Sequence, residues 1–349
     1  MLSDLRVIID SGIFNIGLAS DINRGNWTLQ QAIVDYLKKS RAVVPRRRTR
    51  TGWSVRRPTE GFHPMIYAED CVDYDEGLGE DPLAHYIRSG SPQGRWTHPV
   101  MRLRSRQDPP KPSALRILLH CHFFYPELLP DFLRRTRRNS TTFDLIITTT
   151  NQRDARLLAL DAPENCEIRV VPNRGRDIGA MITGLGASTL ESYDIIGHIH
   201  SKKSPQYDAS FGERWRNFLW EQLLGGEYPV VDHVMEAFED DKQLGLVFAE
   251  DPHLNDWDHN NDVVHDLAPR MGLPKALPQH FDFPIGNMFW CRAAALHPLL
   301  RLDLTWDSYP TEPLPVDGTI IHTIERLLPF LAASRGLSYA TTYVDGCRR

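Results

Sequence analysis

Ile195-Ile196-Gly197-His198-Ile199-His200-Ser201-Lys202-Lys203-Ser204 is the most informative stretch of this 349-residue chain. A β-branched apolar run gives way to a polar cluster. In an open α/β sheet that transition marks the carboxyl end of a strand, where ligands bind. Side chains two apart on a strand share a face, so His198 and His200 point the same way, and two lysines follow at once. Residues 171–179, Val-Pro-Asn-Arg-Gly-Arg-Asp-Ile-Gly, make the same passage from apolar to polar. Lys202, Lys203, Arg174 and Arg176 suit a polyanion such as a diphosphate. Asp177 among them is suited to accept bonds from a ribose or a base, or else to pair with Arg174 or Arg176 and shape the loop. Neither stretch contains the glycine patterns of dinucleotide or P-loop sites.

Outward from these two strings the chain alternates strand and helix. Residues 115–121, 143–150, 166–171, 193–200 and 243–249 read as strands, and 126–137, 153–160, 178–190 and 207–224 as helices. The last of these helices carries Trp215, Phe218, Leu219 and Leu223 at helical spacing. The 143–150 strand closes on Thr148-Thr149-Thr150-Asn151. The polar, proline-punctuated segment 252–283 is expected to be a long loop over the site. This pattern predicts an α/β fold, a mainly parallel sheet flanked by helices. Residues 114–349 form that domain. Residues 1–106 form a small, mostly helical N-terminal region, and the proline-rich stretch 107–113 is the linker.

Within the N-terminal region, residues 31–40 and 81–90 are similar in type along most of their length, as in a degenerate helical repeat. Arg46, Arg47, Arg48 and Arg50, with Arg56 and Arg57, suit either an anionic bilayer surface or a solvated linker.

Composition narrows the class. Hydrophobic residues make 41% and charged residues 24% of the chain, as in a globular protein with a substantial core. A net charge of −5 gives no basis for nucleic-acid binding. The five cysteines lack a C-x-x-C pair, which excludes a zinc ribbon and fits a reducing compartment. There is no apolar run of membrane-spanning length and no signal-peptide pattern at the N-terminus. The expected location is cytoplasmic, with peripheral contact at the inner membrane face through the arginine cluster.

Five phrases carry a family resemblance: residues 118–126 (LLHCHFFYP), 173–177 (NRGRD), 198–203 (HIHSKK), 286–290 (GNMFW), and Asp317-Gly318-Thr319 through Glu325-Arg326. In this order they resemble the rhamnan synthesis F family, glycosyltransferase-like proteins of bacterial surface-polysaccharide assembly. The resemblance covers roughly residues 114–345. It implies a GT-A-like sheet, a nucleotide diphosphate sugar donor such as deoxythymidine diphosphate rhamnose, and a glycan or lipid-linked glycan acceptor. The expected donor-binding set is His120, Thr150, Asn173, Arg174, Arg176, Asp177, His198, His200, Lys202 and Lys203. Trp257 and Trp290 are candidates to stack on acceptor sugars.

One departure bears on the chemistry. GT-A enzymes usually carry an Asp-x-Asp after the strand that here ends in His198-Ile199-His200. Histidines followed by lysines suit direct cationic binding of the diphosphate, so no metal cofactor is expected. Asp256-Trp257-Asp258 does spell D-x-D, but within the 252–283 segment. Inverting transfer needs a base within reach of the acceptor hydroxyl. Asp317, ahead of a helix expected over 319–328, is the first candidate and Glu325 the second. A plain helix cap is the structural alternative for Asp317. Two other functions remain open: a non-catalytic nucleotide-sugar or carbohydrate-binding module, and a metal hydrolase built on His120-Cys121-His122 and His198-Ile199-His200.

Overall fold

The strand–helix alternation closes into one eight-stranded sheet in a computed structural model that describes residues 1–20, 27–43, 55–103, 113–201, 209–347 and 349. The strands are β1 (Val100–Arg102), β2 (Ile117–His122), β3 (Asp144–Thr149), β4 (Cys166–Val170), β5 (Ile195–His200), β6 (Leu244–Ala249), β7 (Phe289–Arg292) and β8 (Ser338–Tyr343). Their order is β1-β8-β6-β7-β5-β2-β3-β4. Every pairing is parallel except those of β7, which runs antiparallel to both β5 and β6. Apart from β7, the strands therefore end on a single edge.

The helices are α1 (Leu2–Ser11), α2 (Ile16–Ala19), α3 (Leu29–Val43), α4 (Pro64–Asp70), α5 (Pro82–Arg88), α6 (Leu129–Thr136), α7 (Gln152–Asp161), α8 (Arg176–Leu185), α9 (Ala187–Leu190), α10 (Ala209–Leu223), α11 (Val230–Asp240), α12 (Asn261–Arg270), α13 (Ala293–Leu300) and α14 (Ile320–Ser334). Alternating side chains divide the core between the two faces of the sheet. Leu118, Ile146 and Ile196 pack with α8, α12, α13 and α14. Leu119, Cys121, Ile147 and Ile199 pack with α6, α7, α10 and α11.

Three features depart from the sequence reading, each for a local reason. The 178–190 helix breaks at Gly186, whose φ of 79° ends α8 and starts α9. The 252–283 segment is not all loop, because Val264, Leu267 and Ala268 fall on one face of α12 and are buried. The N-terminal region reaches into the sheet: β1, which lies ahead of the 107–113 stretch, pairs with β8. Residues 104–112 lie outside the described residues, as does the cluster Arg46, Arg47, Arg48 and Arg50. The two similar segments meet directly, with the Ser40 hydroxyl donating to the Asp81 carboxylate that caps α5.

Candidate active site

Parallel pairing of β2 and β5 sets His120 beside His198 and His122 beside His200. All four imidazoles share the parity of Leu118 and Ile196 and so face α8. The His120 and His198 rings stack at 5.1 Å, 12° from parallel, with their Nδ1 atoms 3.0 Å apart. His120 Nε2 and His122 Nδ1 each lie 2.9 Å from the Thr148 hydroxyl on β3. At the other end His198 Nε2 lies 3.3 Å from Asp177 Oδ2. The result is a continuous ladder, His122–Thr148–His120–His198–Asp177.

Donor and acceptor rules orient this ladder. An ionised Asp177 only accepts, so His198 Nε2 donates to it. If His198 is neutral, its Nδ1 accepts from His120 Nδ1–H, His120 Nε2 accepts from the Thr148 hydroxyl, and that hydroxyl accepts from His122 Nδ1–H. If His198 carries a second proton, every bond beyond it reverses and the ladder is again fully bonded. Burial drives the His120 and His122 pKa values down, the latter to about 4, which keeps both rings neutral. Burial acts on Asp177 in the opposite sense, but His200, His198 and the Asn287 amide outweigh it and hold the carboxyl well below its ordinary range.

Asp177 stands in the first turn of α8 with 16% of its side chain exposed. His198, His200 and Asn287 all approach Oδ2, and Oδ1 has no partner among the described residues. Asn287 donates its amide to Asp177, while its own Oδ1 is buried with no hydrogen-bond partner. Two hydrogen-bonded side chains at the carboxyl edge thus each keep an acceptor unfilled among the described residues. Asn287 is placed by a tight turn in which its N–H bonds to Pro284 O at 2.7 Å. Gly286 in that turn has a φ of 98°, and a Cβ there would lie 2.8 Å from Leu219 Cδ1. Gly286 also joins two candidates, since its N–H donates to Glu325 at 2.6 Å and its carbonyl accepts from His200 Nε2 at 2.7 Å.

The first turn of α14 lies within electrostatic reach of this cluster. His322, pushed down to about 4 by burial, feels Asp317, Arg176, Arg326 and Asp177. Asp317 is not the helix cap, because Thr319 holds that position. Its carboxylate accepts from Asn260 at 2.8 Å and from the His259 N–H at 3.3 Å, and lies 3.5 Å from Arg326. Burial raises its pKa, but Arg326 and Asn260 more than offset this and keep it ionised.

Several expected site residues are engaged elsewhere. Trp290 is fully buried in the core: its ring lies over Gly197, where a Cβ would sit 2.5 Å from it, and its Nε1 donates to Leu223 O. Trp257 is likewise core, packed on Phe281 and Phe330. Neither tryptophan offers a face to an acceptor sugar. Arg174 is committed to Tyr309 O at 2.9 Å and Asp307 at 2.7 Å, and Arg176 approaches Glu312 at 3.4 Å. Asp177 pairs with neither arginine, which removes the loop-shaping alternative. Asn173 is exposed and Thr150 half-buried at the same edge. Lys202 and Lys203 lie outside the described residues. Asp258 of the D-x-D string contacts Arg326 at 3.2 Å, so a guanidinium stands beside that carboxylate. Asn287, Gly286 and Thr148 were missed as site residues. The Gly-Asn dipeptide after a proline was the available signal, since such pairs favour turns with positive φ.

The fold and this edge define an α/β protein with a polar site over parallel strand ends. The chain matches the family described as Rhamnan synthesis protein F over residues 68–337, well over half of its length, and it belongs to that family. Relatives in two strains of Xanthomonas campestris pv. campestris, both described as uncharacterized protein WxcX, are 30% identical over 230 residues. That alignment takes in 64% of this chain and 32% of each relative, so the chain matches about a third of their length. Among solved structures, a CMP:2-keto-3-deoxy-manno-octonic acid synthetase complexed with CTP aligns with 66% of this chain and 90% of its own, at 9% identity and a TM-score of 0.31.

Proposed function

We propose that this protein is a GT-A-type glycosyltransferase of bacterial polysaccharide assembly, moving a hexosyl group such as rhamnose from a nucleotide diphosphate donor to a glycan. The observation that carries this reading is the pair of unfilled acceptors, Asp177 Oδ1 and Asn287 Oδ1, at the end of the histidine ladder. Open acceptors on two neighbouring side chains at a polar edge suit a ligand rich in hydroxyl donors, as a ribose or a hexose is. Membership of the rhamnan synthesis family supports the same reading.

In this mechanism Asp177 and Asn287 bind donor hydroxyls, and Glu325 and His200 fix the Gly286 peptide that carries Asn287. Asp317 is the base: it takes the proton of the acceptor hydroxyl as that oxygen attacks the anomeric carbon and the nucleoside diphosphate leaves. Arg326 and Asn260 secure its ionised form at some cost in basicity. Diphosphate binding by cationic side chains makes the reaction independent of a divalent ion.

The test is donor turnover on a panel of nucleotide diphosphate sugars, with and without exhaustive chelation. Transfer or slow donor hydrolysis that survives chelation supports the reading, and D317N should slow it by roughly 10²–10⁴-fold. Turnover restored only by manganese or magnesium defeats the metal-free part. Binding without any turnover favours the non-catalytic module.

A further inference from the structure

On the opposite face of the sheet from the ladder, Arg216 uses little of its hydrogen-bonding capacity among the described residues. A guanidinium carries five N–H donors, and buried charges in folded proteins are ordinarily paired. Arg216 is buried on α10, with only 7% of its side chain exposed. Its Nε has no partner, and Nη2 makes one long bond to Asn217 at 3.4 Å. Glu213 is 3.9 Å away and two-thirds exposed, while Asp131 is already bound by Arg134 at 2.5 Å and Arg135 at 3.2 Å. The guanidinium also lies 5.6 Å from the Trp220 ring centroid.

Its place in the fold is at the same carboxyl edge. Trp220, one turn further along α10, donates its Nε1 to the carbonyl of His200, the last residue of β5. Glu127, Asp131 and Arg135, all from the segment that follows β2, act on Arg216 electrostatically. Arg216 thus sits between α10 and the chain leaving β2, beyond the ends of the two strands that carry the histidines. Arg174 and Arg176, the cations first expected to hold an anion here, are turned toward the 307–312 segment.

We propose that Arg216 is a phosphoryl-binding residue whose missing hydrogen bonds are supplied by an anionic ligand over the carboxyl ends of β2 and β5. The ligand class is a diphosphate, and on the glycosyltransferase reading, on which this identification rests, it is the donor's diphosphate. A buried cation whose one ion pair is a long contact to an exposed carboxylate contributes little to folding, so replacing it should leave the protein as stable or more so while binding is lost.

Calorimetric titration of the full chain with inorganic pyrophosphate, paired with thermal unfolding, tests this. R216M should raise the pyrophosphate dissociation constant at least tenfold with an unfolding midpoint equal to or above that of the parent. R134M, which removes an exposed cation on α6, should stay within twofold. Failure of the parent to bind pyrophosphate, or R216M binding as well as the parent, overturns the proposal. A lowered midpoint with unchanged affinity likewise shows Arg216 to be structural. If a nucleoside diphosphate binds parent and R216M equally, the proposal fails while the transferase reading stands. R216M-sensitive pyrophosphate binding without sugar turnover has the reverse meaning.

Discussion

Two buried polar clusters in this molecule are built on histidines, and they are closed in opposite ways. Where the N-terminal region meets the sheet, Arg57 contacts Asp282 and lies 3.1 Å from Glu250, while His98 lies 2.8 Å from Glu250 and 3.2 Å from Asp282. Two cations face two carboxylates, and the Gly61 N–H and the Tyr339 hydroxyl add further bonds to those carboxylates. The ladder on β2 and β5 relies instead on hydrogen bonds among its rings and the Thr148 hydroxyl, and it ends in acceptors that nothing among the described residues fills. A cluster that satisfies itself by charge fastens two parts of the chain together. One that satisfies itself by hydrogen bonds passed from ring to ring, yet leaves acceptors open at an edge, is prepared for a ligand.

The largest effect should come from breaking the charge cluster. R57M leaves two buried carboxylates without their strongest partner, and loss of one member of a buried ion pair costs about 3–5 kcal/mol. Denaturant unfolding should show that loss, and a change under about 1 kcal/mol would mean the cluster does not hold the two regions together. The ladder is less costly to break. T148V orphans His120 Nε2 and His122 Nδ1, at about 1–3 kcal/mol, while T148S keeps the hydroxyl and should cost about 0.8 kcal/mol for the lost methyl group. Equal effects of the two variants would show that the hydroxyl is not the ladder's link.

The effects smallest per step lie in the pH dependence, where each pH unit moves stability only slightly and the clusters act on opposite sides of neutrality. Burial lowers the His98 pKa, but Glu250 and Asp282 outweigh it and raise the ring from 6.5 to about 9. Its stabilisation is complete below pH 6.5 and is lost as pH climbs toward 9. His122 is lowered from 6.5 to about 4 and His63 to about 3, both by burial, so stability falls as pH drops below 6.5. Glu250, held at about 2 against burial by Arg57 and His98, adds a further loss as pH falls below 4.5. Each group contributes at most about 1.4 kcal/mol per pH unit. H98Q should flatten the alkaline limb alone and H122N the upper part of the acid limb alone, as read from unfolding curves across pH 4–9. Either variant flattening the opposite limb would contradict this division.

Much of the architecture was legible because β2 to β6 are short apolar runs between amphipathic helices. The strand ends at His122 and His200 read directly from the shift to polar residues. β1 and β7 were not legible: three or four residues are too few to show a period, and it is pairing with distant strands that makes them strands. The site was half legible. Asp177, His198 and His200 come together as their strand-end positions implied. Trp290 could not be placed, because an aromatic ring reads alike in a core and at a sugar site until Gly197 is seen beneath it. The partner of Arg174 was hidden for a related reason, since Asp307 lies far along the chain. The charge cluster was invisible, as Arg57, His98, Glu250 and Asp282 show no shared spacing.

The central claim is that the open end of the ladder is a binding site. Its most direct measurement is the affinity of D177N for a panel of nucleoside diphosphates by calorimetric titration beside the parent. Asn287 and His198 can still bond to an asparagine oxygen, so the variant should fold with near-parental stability. Losing a charged hydrogen bond to the ligand is worth about 1.5–3 kcal/mol, or at least a tenfold weaker dissociation constant. That loss, in a folded variant, is the expected result. A folded D177N that binds within twofold of the parent would contradict the account.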